Sequence, residues 1–109
     1  MKPVQTRKIS GGSQINAYPS NRDGRLKFVV VTLNYSYPEK GVAINQGRVE
    51  GVFVLEGSLK ITLNGVVHNC PQGEVLYFEE GDKYAVAGRG KAIVAISPAN
   101  KGETIVQEG

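Results

Sequence analysis

His68 with Cys70 two residues on has the spacing of half a metal site, yet no second such pair exists in the sequence to complete four ligands. As a nucleophile, Cys70 would need a base and an electropositive setting. Beside Pro71 it reads instead as a passive thiol. Gly88-Arg89-Gly90-Lys91 resembles a phosphate loop only superficially, because it lacks the glycine spacing, the hydroxyl residue after lysine and the helix that such a loop requires. It reads as a turn between strands. Glu50 is more informative. In the run VEGVFVLE, residues two apart share a face, so Glu50 turns the same way as Val52 and Val54. If that face is the interior, the carboxylate is costly there unless it is paired, takes up a proton or meets a watery cavity. The alternative is an edge residue paired with Arg48 or Lys60. Tyr35, Tyr37 and Tyr77 have apolar bodies and polar tips, which suit a sugar-like ligand or, as expected for each singly, an ordinary barrel wall. Asn45-Gln46, beside Gly47, either lines the mouth of a pocket or forms a plain loop.

Strands must position these groups, because no helical period of useful length occurs anywhere. Residues 26–35, with Val29-Val30-Val31-Thr32, lie between the turn signals Asp23-Gly24 and Pro38-Glu39-Lys40-Gly41. Residues 49–56 and 58–63 are separated by Gly57, and the second run alternates Leu59, Ile61 and Leu63 with Lys60 and Thr62. Asn64-Gly65 follows, a pair that supplies the two positive φ angles of a type I′ hairpin turn. Residues 74–78, 84–87, 91–97 and 104–107 read as further strands punctuated by glycine. Such a pattern predicts a sandwich or closed barrel. Gly11-Gly12 and Pro19 leave residues 1–25 as an N-terminal arm or edge strand.

The chain has 109 residues, enough for one core and one domain over 1–109. Its net charge of +3 is scattered among both signs, which favours a small anionic molecule over nucleic acid. Cys70 is the only cysteine, the opening MKPVQTRKIS has no apolar core of a signal peptide, and no apolar run is long enough to span a membrane as a helix. A cytoplasmic protein without membrane partners is the simplest reading. The apolar run 28–33, read as an exposed edge, predicts a homodimer.

Glu50 and Gly57, followed by SLKITLNG, resemble the second half of the first cupin motif, which runs His-x-His, three or four residues, Glu, six residues, Gly. Gly73 and Gly81 are similar to the second motif, Gly, five residues, Pro-x-Gly, two residues, His, with Glu79 where the proline stands. The resemblance covers residues 41–97. It implies an all-β fold: a small antiparallel β-barrel, the double-stranded β-helix or jelly roll of cupins. It also implies what is missing. The first-motif histidines fall on Ala43 and Asn45, or on Ile44 and Gln46, and the second-motif histidine falls on Tyr84. Of the three imidazoles and one carboxylate that hold a cupin metal, only Glu50 remains, so no metal and no other cofactor is expected. Tyr84 then either donates a hydrogen bond at a pocket floor or plugs the empty place.

Three readings follow. The first is a barrel that binds a small polar ligand, a sugar or carboxylate, through Glu50, Tyr84, Asn45, Gln46 and Tyr37. The second is a metal-independent sugar isomerase or epimerase with Glu50 as base and Tyr84 as acid, although the histidine–carboxylate base usual in such enzymes has no counterpart here. The third is a structural or oligomerising domain with a filled interior.

Overall fold

Short apolar–polar alternation becomes strand after strand in the computed structural model, which describes residues 5–8 and 13–108. The elements are β1 (Gln5–Lys8), β2 (Gln14–Ala17), β3 (Lys27–Leu33), β4 (Ser36–Tyr37), β5 (Val42–Gln46), β6 (Val49–Leu63), β7 (Val66–Pro71), β8 (Val75–Phe78), β9 (Lys83–Ser97) and β10 (Glu103–Gln107). Among the described residues there is no helix, and so none long and apolar enough to cross a membrane. All pairings are antiparallel and make an all-β, jelly-roll barrel.

Two long strands organise the barrel. The first half of β6 pairs with β8 (Glu50↔Phe78) and with the second half of β9 (Glu50↔Ile96), and this wall continues through β3 and β2 to β1. The second half of β6 pairs with β7 (Ile61↔His68) and with the first half of β9 (Leu63↔Tyr84). That wall continues along the other edge of β9, through β4 (Tyr37↔Val86) and then β5 (Ala43↔Tyr84), with β10 beyond β5. β6 and β9 each run through glycines that, by sequence alone, separate two shorter strands. The glycines bend these strands without ending them: register slips between Val54 and Glu56, and Gly57 lies opposite Gly90. A Cβ on Gly57, whose φ is 77°, would lie 2.6 Å from the Arg89 carbonyl oxygen, and one on Gly90 would lie 2.6 Å from that of Glu56. Side chains are therefore excluded where the two backbones close on each other. The stretch Gly88–Lys91 is part of β9 and not a turn.

Other expectations fared unevenly. Asn64 and Gly65 have φ angles of 50° and 82°, as the hairpin between β6 and β7 requires. The run Phe28–Leu33 is not an edge, because β3 is bonded on one side to β2 and on the other to β9, so the argument for a homodimer from an exposed edge falls. The N-terminal segment supplies β1 and β2, which extend the sheet outward from β3; Gly11-Gly12 lie outside the described residues.

The buried apolar core contains Val54, Ile61 and Cys70, together with Leu33, Val52 and Leu59, which also line the open interior. Ile61 is fully buried, a contribution of about 1.5–3 kcal/mol for a side chain of this size. Tyr35 and Tyr77, expected in the wall, are exposed instead. Tyr77 lies on the outer face, its ring over Gly51, because β8 presents Leu76 and Phe78 inward and odd-numbered residues outward.

Candidate functional site

The alternation that turns Val52 and Val54 inward also turns Glu50 inward, to 9% exposure. On β5, Ala43 and Asn45 face the interior and are fully buried, while β9 brings Tyr84 opposite Ala43. These three elements bring Asn45, Glu50 and Tyr84 together. The Tyr84 hydroxyl lies 3.1 Å from Asn45 Oδ1 and 3.3 Å from Glu50 Oε1. With one proton it donates to either acceptor, never to both. The Tyr84 ring stacks on Phe78 at 3.9 Å between centroids, so Tyr84 both packs and hydrogen-bonds, the two roles that sequence had posed as alternatives.

Burial, then the nearby charge of Glu50, pushes the Tyr84 hydroxyl far above its ordinary range. The phenol therefore stays protonated at neutral pH and acts as a donor. Glu50 pairs with neither Arg48 nor Lys60; its bonded neighbour is Tyr84.

The interior beside this cluster is open. A cavity of about 660 Å³ is walled by aliphatic side chains such as Val29, Val94 and Ile96, and Glu50, Tyr84, Tyr37, Arg48 and Thr104 reach it. Its volume falls within the usual range for small-molecule sites, roughly 300–1,000 Å³. Tyr37 is half-buried and lines the cavity. Asn45 is not at the mouth: it stands behind Tyr84 and Thr104, accepting a 2.8 Å bond from the Thr104 hydroxyl. Gln46 does not belong to the site. One residue beyond Asn45 on β5, it faces the opposite way and is exposed opposite Glu103.

Two residues of the cluster escaped sequence reasoning. Thr104 is brought beside Asn45 by the β5–β10 pairing, across 59 positions, and no local pattern announces that. Arg48, whose Nη2 donates to Thr104 Oγ1, had a legible signal: it precedes Glu50 by two and so shares its face. His68 and Cys70 lie elsewhere, on β7; burial, with a smaller effect of Glu74, pushes the Cys70 thiol up, which keeps it protonated and unreactive.

Among the described residues no three of His, Cys, Asp or Glu converge. An amide, a carboxylate and a phenol held protonated form a poor donor set for a transition metal, which prefers imidazole or thiolate in such a place. These residues do not fit the cupin metal.

No protein-family model matches the sequence, nor does any curated protein. Solved structures do match. Streptomyces Pac13 with uridine superposes with a TM-score of 0.79 at 12% identity, over 97% of this chain and 87% of that one; Pac13 is described as a unique nucleoside dehydratase. A sugar phosphate isomerase of the cupin superfamily from Silicibacter pomeroyi gives 0.73 at 15% identity, over 97% of this chain and 78% of that. KdgF from Halomonas sp. gives 0.72 at 14% identity, over 86% of each chain. At these identities the likeness is one of fold. The chain has the cupin fold that its glycine spacing and its single motif glutamate suggested, with the motif histidines replaced.

Proposed function

We propose that this protein binds a small polar, hydroxyl-bearing molecule inside the barrel without a metal ion. The observation that carries this reading is the open cavity of about 660 Å³ that Glu50, Tyr84 and Arg48 reach, with many aliphatic side chains in its walls and Lys27, Glu103 and Thr104 also lining it. Apolar walls with a few convergent polar groups are the usual make-up of a ligand site. The carboxylate accepts from hydroxyls, the protonated phenol donates, and the walls accommodate a carbon skeleton. The named activities of the fold neighbours, on nucleosides and sugar phosphates, support the same ligand class.

A screen of sugars, nucleosides and organic acids by thermal shift tests the reading, and a panel in which none raises the melting temperature overturns it. Elemental analysis of protein purified without a histidine tag tests the metal: far less than one equivalent is expected, and near-stoichiometric iron, manganese, nickel or zinc contradicts it.

One observation favours a second reading, catalysis. Glu50 Oε1 and the Tyr84 hydroxyl stand 3.3 Å apart at the edge of the same cavity, so a base and an acid address one bound molecule. In an isomerisation or epimerisation, Glu50 would take a proton from carbon and Tyr84 would deliver one to the substrate, and the proton on Glu50 would then pass to the Tyr84 oxygen 3.3 Å away to restore both groups, with no outside reductant or oxidant. Product formation from a bound ligand separates this from binding alone.

A further inference from the structure

We infer that the ligand is an acid, a hydroxylated monocarboxylate of the sugar-acid class, and that Arg48 is the residue that seats its carboxylate. The inference deepens the binding reading above and rests on it. Arg48 carries five N–H donors and lines the cavity half-buried, yet among the described residues its one bond is from Nη2 to the neutral Thr104 hydroxyl. Among the described residues no carboxylate pairs with it; the ion pair they contain is Arg25–Asp23, at the surface. A guanidinium drawn from water with only a hydroxyl for company is a ready partner for a planar oxyanion, which it grips through two parallel hydrogen bonds.

A second observation points the same way. Asn45 is fully buried, and among the described residues its Nδ2 has no acceptor and neither has Arg48 Nε. The two side chains flank Thr104, whose hydroxyl accepts from Arg48 and donates to Asn45. This corner therefore has a surplus of donors and a deficit of acceptors. Asn45 stands behind the cavity wall, so the donors that meet a bound oxyanion are those of Arg48, which lines the cavity.

Glu50 sets the rest of the ligand. Two residues from Arg48 on the same face, it lies roughly 7 Å along the chain. A carboxylate on Arg48 thus extends its carbon skeleton past Glu50, which accepts from hydroxyls. A dianionic phosphate would bring added negative charge toward the Glu50 carboxylate, so the single charge of a sugar acid fits better. Lys27 also lines the cavity, but it lies two strands from Glu50 through Ile96, about 10 Å away, and an ammonium offers no planar fork.

The test measures affinity for matched pairs, glucose against glucuronate and galactose against galacturonate, with glucose 6-phosphate and uridine as further arms. The wild-type protein is expected to bind an acid at least tenfold more tightly than its neutral twin. Arg48→Met should reduce that preference to within twofold, Arg48→Lys should restore part of it, and Lys27→Met should leave it unchanged. Neutral sugars or uridine bound as well as the acids overturn the assignment of the acid and leave the binding reading standing, and a preference retained in Arg48→Met overturns the role of Arg48. Tighter binding of glucose 6-phosphate than of either acid overturns the monocarboxylate. A panel in which nothing binds overturns both readings. Should Arg48→Met fold poorly, the wild-type preference and the Arg48→Lys variant still decide.

Discussion

One strand, β6, runs through two regions of the barrel interior that solve opposite problems. Toward its end, Ile61 belongs with Cys70 to the buried apolar cluster. At its start, Glu50 meets Tyr84, Asn45 and Thr104 beside an open cavity. The bulge between Val54 and Glu56 and the Gly57–Gly90 approach mark the bend between them. Stability is concentrated where side chains fill the space; a site survives where they leave it open and satisfy one another by hydrogen bonds. Removing a buried atom should therefore have different consequences on the two sides of the bend.

The largest expected effect is on the closed side. Ile61→Ala should cost about 2–5 kcal/mol in urea unfolding, because no neighbour can collapse fully into the space left. Ligand affinity of the folded fraction should be unchanged. A loss of affinity at constant fold would mean that the two regions are coupled.

Glu50→Gln removes a charge on the open side while keeping the shape. Stability should stay within about 1 kcal/mol of the wild type, and affinity for a ligand found by screening should fall at least tenfold, or ~1.4 kcal/mol. If the variant is instead more stable and binds as well as the original, Glu50 has no functional role.

Tyr84 gives the comparison a pH axis. Its folded-state hydroxyl is raised above the value of about 10 for an unfolded chain, so the folded protein holds a proton that the unfolded one releases. The associated stability is fully present below pH ~10 and is lost as pH rises beyond it. Unfolding midpoints of the wild type should fall more steeply above that pH than those of Tyr84→Phe, and equal slopes would sever the phenol from the alkaline transition. The mutation itself should cost about 1–2 kcal/mol at neutral pH, since Asn45 and Glu50 lose a donor.

The smallest effect is expected at Cys70. Buried and pushed up, its thiol should react with an aromatic disulfide reagent at least about tenfold more slowly in the folded protein than in urea. Equal rates would show that the closed side opens readily.

Much of this was legible beforehand because it depends on near neighbours in the chain. Alternation over a few residues fixes which side of a strand faces in, so the inward turn of Glu50, Val52 and Val54 could be read directly. Asn64-Gly65 specifies its own turn by φ alone. The resemblance of the residues around Glu50 to the cupin motifs implied the barrel.

Tertiary structure decided the rest. Whether a glycine ends a strand or bends it depends on the backbone across from it, so Gly57 and Gly90 became legible only as a facing pair. Gln46 and Asn45 are equally polar neighbours, and only the pairing of β5 with β10 and β9 shows which faces in. Thr104 and Arg48 joined the site because distant strands closed the barrel around them. Whether the interior is filled or open is a property of all the inward side chains taken together, since a cavity is the volume that none of them occupies. A sequence specifies each residue's size and side; the sum over the closed barrel specifies the hole.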